Sequence, residues 1–326
     1  MEPSLPKFTP RRALGRTGFV ATAVGAGDLA DRSLSIEACA ATLRAALDAG
    51  LNLVDTAPGY EDGYSEQVVG CALRGRREGV FVVDKIDHLD QPVAPQVEGS
   101  LKRLGMDRAD LFLFHGVSTL EAWRPLAADL GGFDQLGEAI RQGKARFAGI
   151  SSHHPEVLRQ AIESGRCDVV MFALGPYCDR RYVEEILPLA RARGVGTIGF
   201  KAFGAGKLLG DTEGYGRPSQ GAGATAAGGA TAAPFAAVPS PSGARLLDSA
   251  AVAPSLPHLT AAECVRYILT MDPDVALLGM SSLPEMREAL VAAAEFRPMT
   301  PSELAEVRRS AEAAVQGKGR CWWNPA

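Results

Sequence analysis

The chain has 326 residues, 46% of them hydrophobic and 22% charged, with a net charge of −4. That apolar content fills one large core or two medium ones, and the acidic balance argues against a nucleic-acid-binding face. No apolar run approaches the roughly 20 residues that span a membrane. The N-terminal MEPSLPKFTPRRALG has no apolar signal core, so a cytoplasmic protein is expected. The cysteines at 39, 71, 167, 178, 264 and 321 lack the two-residue spacing of zinc or redox sites and read as free thiols.

In chain order, RALGRTGFVAT reads as a small hairpin whose turn is flanked by Gly15 and Gly18. It would close one end of the fold. Strand-like and helix-like segments then alternate. The strands are Thr22–Gly25, Leu51–Asp55, Val80–Lys85, Leu111–His115, Phe147–Ser151, Val169–Phe172, Gly196–Phe200 and Val275–Gly279. The helices are Ser35–Ala49, Tyr64–Leu73, Val93–Leu104, Gly132–Gln142, Pro155–Glu163, Arg181–Arg193, Thr260–Thr270 and Pro284–Ala294, followed by an amphipathic Pro301–Val315. Ser35 caps the first helix and Gly50 stops it. Such alternation indicates a closed (β/α)8 TIM barrel forming a single domain over 1–326. A doubly wound open sheet is the alternative, but AGDLADRS after the first strand has no GxGxxG.

One stretch breaks the alternation. From Thr212 to Leu256 the chain is rich in Ala, Gly, Pro, Ser and Thr without a period. It cannot bury enough surface to offset its ordering entropy. A flexible insertion after the seventh strand, over 212–256, is expected.

Four polar residues stand at or just past the ends of apolar runs: Asp55 in LNLVDTA, Tyr60 in PGYEDG, Lys85 in FVVDK and His115 in LFLFH. Parallel barrel strands deliver their last residues to one mouth. A lysine ending an apolar run needs a counter-charge, and Asp55 is available. A nearby ammonium is expected to lower the Tyr60 pKa, and the phenol can then protonate a carbonyl oxygen. Trp123, in a loop after the His115 strand, reads either as a pocket wall or as a buried core residue. Asp84 should point away from the barrel, since neighbouring strand residues alternate faces.

Taken in order, RALGRTG, DTAPGYEDGYSEQVVG, VVDK, DLFLFH, GKARFAGISS, GFKAFGAGKLLG and LLGMSS resemble the landmarks of the aldo-keto reductases, over about residues 12–296. The resemblance implies a TIM barrel that reduces aldehydes, ketones or sugars with NADP, or alternatively NAD, usually without a metal. Tyr60 would be the general acid, Lys85 its tuning partner, Asp55 the anchor of Lys85, and His115 the group that orients the carbonyl. Ser151 and Ser152 would meet the carboxamide, and Phe200 would stack on the nicotinamide. Lys201, Phe203, Gly204 and Gly206 would lie along the phosphates, with Gly279, Ser281, Ser282, Glu285 and Glu288 on the adenosine side. The partner implied is a small carbonyl compound or alcohol.

The chain departs from the family pattern in four places. Ser152 replaces a carboxamide-binding Asn, Met171 a Gln and Ala289 an adenine-binding Asn, and Met280–Pro284 contains no Lys or Arg to hold a 2′-phosphate. These departures keep a second reading open: a weak nucleotide-binding barrel acting as sensor or accessory subunit.

Overall fold

A computed structural model describes residues 5–215, 217–218 and 257–324. The chain opens with β1 (Arg11–Ala13) and β2 (Val20–Thr22), followed by β3 (Val24–Ala26), α1 (Ile36–Ala49), β4 (Leu53–Asp55) and α2 (Tyr64–Leu73). Next come β5 (Phe81–Ile86), α3 (Val93–Leu104), β6 (Leu111–Phe114), α4 (Leu120–Ala127), α5 (Gly132–Arg141), β7 (Phe147–Ser152) and α6 (Pro155–Glu163). The chain continues through β8 (Val169–Ala173), α7 (Leu187–Ala192), β9 (Gly196–Phe200), β10 (Thr212–Gly214) and β11 (Arg217–Pro218). It ends with α8 (Ala261–Met271), β12 (Val275–Leu278), α9 (Leu283–Ala294) and α10 (Pro301–Ala314). The strands β3 to β9 and β12 form one closed parallel barrel, in which β12 pairs with both β3 and β9.

The pleat sorts the side chains into two cores. Leu53, Phe81, Val83, Leu111, Leu113, Val169, Met171, Ile198, Val275 and Leu277 fill the barrel. Their neighbours Val54, Val82, Phe112, Ile150, Val170 and Ala276 face the helices. Asp84 follows the second set, as expected: it is buried outside the barrel, and burial followed by the nearby Glu66 charge raises its carboxyl well above the usual range.

The hairpin closes the N-terminal end. Arg11 pairs with Thr22 and Ala13 with Val20, while Leu14, Phe19 and Ala21 pack into the barrel interior. Gly15 has φ +47°, and a Cβ there would lie 2.2 Å from the Gly196 nitrogen. Only glycine lets the hairpin sit this close.

Two helical expectations need correction. The loop holding Trp123 is α4, capped by the Thr119 hydroxyl and carrying Pro125 inside it. Trp123 is 4% exposed and meets Phe133 edge-on at 5.6 Å, so it belongs to the core and not to a pocket wall. The helix expected over Arg181–Arg193 divides into a π-helical turn, Tyr182–Ile186, and α7. Pro188 has no N–H to donate into the helical ladder, and the wider turn absorbs the defect.

Most of the insertion expected over 212–256 lies outside the described residues. Its first residues pack tightly: Thr212 is buried, and a Cβ on Gly214 would lie 2.8 Å from Trp322. A lysine clasp ties this loop to the C-terminal segment. Lys207 Nζ donates to the Lys318 and Arg320 carbonyls at 2.6 and 2.9 Å. Lys318 Nζ donates to the Lys207 and Gly210 carbonyls, both at 2.8 Å. Both side chains are fully buried. Trp323 is buried beside them and donates its indole N–H to the Tyr177 carbonyl at 2.9 Å. Replacing Lys318 with Met should strand two buried carbonyls, lower stability by about 2–4 kcal/mol and expose the tail to proteolysis. Urea unfolding and timed trypsin digestion measure both, and an unchanged midpoint with an intact tail would refute the clasp.

Candidate active site

Three neighbouring barrel strands supply the core of the site. Asp55 ends β4, Lys85 lies one residue before the end of β5, and His115 directly follows β6. All three continue the inward parity of the apolar residues before them, so they turn toward the barrel axis. Tyr60 comes from the turn after β4, where Glu61 and Asp62 adopt φ of 51° and 52°.

The Lys85 ammonium, 1% exposed, lies 2.7 Å from Asp55 Oδ1 and donates to the Thr56 carbonyl at 2.7 Å. It also lies 4.5 Å from the centroid of the Tyr60 ring. Burial raises the Asp55 carboxyl, and Lys85 pulls the other way. For Tyr60 the direction is opposite to the sequence expectation. Burial, then the charges of Asp55, Tyr215, Asp28 and Asp87, push the phenol well above its usual value. The ammonium is committed to Asp55 and Thr56 and faces the ring, so its acidifying influence is outweighed.

The His115 ring meets Tyr60 edge-on at 5.7 Å, and its Nδ1 lies 2.6 Å from Asp87 Oδ1. Asp28 forms another edge of the mouth. Its carboxylate accepts the Ala30 N–H at 3.0 Å and the Ser65 hydroxyl, which itself accepts from Thr56 at 2.8 Å. Burial raises Asp28 above the ordinary range.

The residues expected to bind the cofactor are placed unevenly. Ser151 faces inward, and its Oγ accepts the Gly116 N–H at 2.9 Å. Ser152 has the opposite parity. Its hydroxyl accepts the His154 N–H at 3.0 Å, so it is tied to local backbone rather than presented beside Ser151. His153 lies nearer: it meets Phe200 edge-on at 5.4 Å, and its buried Nδ1 has no hydrogen-bond partner. Burial, then Lys201 and His115, push this imidazole down to about 3. Lys201 Nζ donates to the Tyr215 hydroxyl and lies 5.7 Å from the Phe200 ring and 5.6 Å from Trp322. Phe203, Gly204 and Gly206 form the next turn, with both glycines in the left-handed region.

On the far side, Gly279 and Ser281 lead into α9, which Ser282 caps. The Glu285 carboxylate sits on the Ser281 and Ser282 backbone N–H groups, with Glu288 a turn later. Burial raises Glu285 despite those bonds.

The sequence patterns above do not single out Asp28, Asp87, His153 or Tyr215. Asp87 carried a usable signal, because Val83, Lys85 and Asp87 share one parity. Tyr215 and Asp28 lie in loops, where spacing carries no such information. Among the described residues, no group of three or more His, Cys, Asp or Glu side chains is placed to hold a metal. Nor does any described helix have the length and apolarity to cross a membrane.

The model of the aldo/keto reductase family matches residues 23–312. An NADH-specific methylglyoxal reductase of Escherichia coli is 29% identical over 228 residues, covering 63% of this chain and 69% of that protein. An aldo-keto reductase of Bacillus subtilis is 30% identical over 229 residues, covering 62% of this chain and 65% of its own length. Among solved structures, the holo form of an aldo-keto reductase from Bacillus halodurans superposes with a TM-score of 0.66 at 22% identity, covering 95% of this chain and 99% of the other. An aldo-keto reductase of Klebsiella pneumoniae in complex with NADPH gives 0.64 at 20% identity, covering 92% and 95%. With the family match running through every barrel strand and through Asp55, Tyr60, Lys85 and His115, the chain belongs to the aldo/keto reductase family.

Proposed function

We propose that this protein is a single-domain enzyme that reduces a small aldehyde, ketone or sugar carbonyl, with NADP or NAD as cofactor and Tyr60 as general acid. The observation that carries this reading is the convergence of Asp55, Lys85, Tyr60 and His115 at one mouth of the barrel. The cofactor supplies the hydride when bound. Tyr60 holds its proton at neutral pH and releases it only to an oxygen gaining negative charge. Lys85 lies against the phenol ring, and its charge offsets the phenolate left behind. His115 borders the same space from the next strand and positions the carbonyl oxygen.

The nicotinamide cofactor fits in part. Phe200 offers a half-buried aromatic face at the strand end, and His153 leaves Nδ1 unpartnered beside it. Ser151 accepts one bond, so its own proton is available to a carboxamide. Ser152 is turned away, and Met171 and Ala289 supply no polar atom. Those three features are what a sensor or accessory role draws upon. Against it stands the fully buried Lys85–Asp55 pair, which is costly to keep and useless for binding alone. The activities for which relatives are named, reduction of methylglyoxal among them, support the enzymatic reading. The acidic balance supports a protein without nucleic-acid partners, and a cytoplasmic setting is part of the same reading.

Two outcomes are expected. Replacing Tyr60 with Phe should lower kcat about 10²–10⁴-fold in an assay of nicotinamide absorbance across a carbonyl panel, while circular dichroism and nucleotide affinity stay unchanged. Wild-type turnover in that variant would dismiss Tyr60 as the acid. Glu285 and Glu288 should also repel a 2′-phosphate, so NADH should bind about tenfold more tightly than NADPH in fluorescence titration. Glu285→Gln should narrow that gap. A preference for NADPH that survives in the variant would contradict it.

A further inference from the structure

Asp87 lies two residues past Lys85, just beyond β5. Its carboxylate takes the His115 Nδ1 contact at 2.6 Å and the Gly59 backbone N–H. The two side chains are 19% and 31% exposed, which places them at the mouth and not on the open surface. Burial works against a charge on Asp87. The hydrogen bond and charge of His115, with Lys85 behind them, prevail and hold this carboxyl below its ordinary range.

An ionised carboxylate only accepts, so the proton between the pair belongs to Nδ1. Nε2 occupies the opposite edge of the ring, away from Asp87. In a neutral ring with its proton on Nδ1, Nε2 presents a lone pair, which repels a carbonyl oxygen. A donor at Nε2 requires the doubly protonated ring. The other groups around His115 are Asp55 from β4, Lys85 from β5, Tyr60 edge-on and His153 beyond β7. Asp55 is already bonded to Lys85, and His153 is neutral. That leaves Asp87 as the carboxylate in hydrogen-bonding contact with the ring.

We propose that Asp87 is a positioning residue: it fixes the His115 ring through Nδ1 and keeps it doubly protonated, so that Nε2 donates a hydrogen bond to the substrate carbonyl. The inference rests on the carbonyl-reduction reading above. Hydride adds to the carbonyl carbon, the oxygen takes the Tyr60 proton, and His115 keeps both of its own.

Asp87→Asn tests this with little change of shape, and Asp87→Glu provides the conservative rescue. In Asp87→Asn, kcat/KM at neutral pH should fall about tenfold. NADH affinity should not change, and Asp87→Glu should restore part of the loss. Imidazole ¹⁵N NMR of the full chain should show both His115 nitrogens protonated at neutral pH in wild type, and one in Asp87→Asn. A wild-type kcat/KM in Asp87→Asn, or a singly protonated wild-type ring, would overturn the proposal. If no carbonyl compound is reduced by wild type, the functional reading falls, and the NMR result still decides whether Asp87 sets the state of His115.

Discussion

The site depends on one buried ion pair. Lys85 and Asp55 are each almost sealed from solvent, at 1% and 2% exposure. Moving either charge alone into such surroundings costs several kcal/mol. Their contact, with the Thr56 carbonyl as a second acceptor, offsets that cost. The barrel makes this geometry available cheaply. β4 and β5 are adjacent and parallel, with Asp55 in register with Val83, so Lys85 sits two residues further toward the mouth on the same inward face. A flexible lysine stem can then fold back onto a carboxylate already held by its strand. Losing either partner would leave the other charged and uncompensated in the wall of the barrel.

Much of the architecture was legible in the sequence because strand ends have a sharp chemical edge. FVVDK and LFLFH pass from apolar to polar within one or two residues, and the structure ends β5 and β6 within a residue of those points. Helix stops were legible for a similar reason: Gly50, read as the end of the first helix, adopts a left-handed conformation that other residues resist. The failures came where several weak effects competed. Pro125 hid α4, because a proline past the first turn removes a helical hydrogen bond and reads as a break. Parity could have foretold that Ser152 turns away from Ser151, since adjacent residues of a strand cannot both face inward.

The charge state of Tyr60 was not legible at all. A lysine nearby in sequence logic suggested an acidified phenol. The structure shows that proximity is not sufficient: Lys85 approaches the ring face while its protons go to Asp55 and Thr56. Asp28, Asp87 and Tyr215 add charge or potential charge of the opposite effect, and of the three only Asp87, by its parity with Lys85, is marked in a one-dimensional pattern. Sequence identifies which groups meet. The balance between burial and attraction depends on distances of a few ångströms.

A raised phenol is compatible with proton donation, and it constrains how donation proceeds. An acid that holds its proton tightly does not protonate a neutral carbonyl in advance, because the carbonyl oxygen is a far weaker base. The proton moves only as the oxygen becomes alkoxide-like, whose basicity exceeds that of a buried phenolate. On the mechanism proposed above, transfer of the proton is therefore tied to arrival of the hydride, and no phenolate stands beside Asp55 in the resting state. The surrounding carboxylates that raise Tyr60 also disfavour an anionic transition state, so a positive group must face the oxygen directly. Lys85 is occupied below the ring. On the same proposal, His115, held by Asp87, takes that place from the neighbouring strand, which would account for one carboxylate on the lysine and another on the histidine.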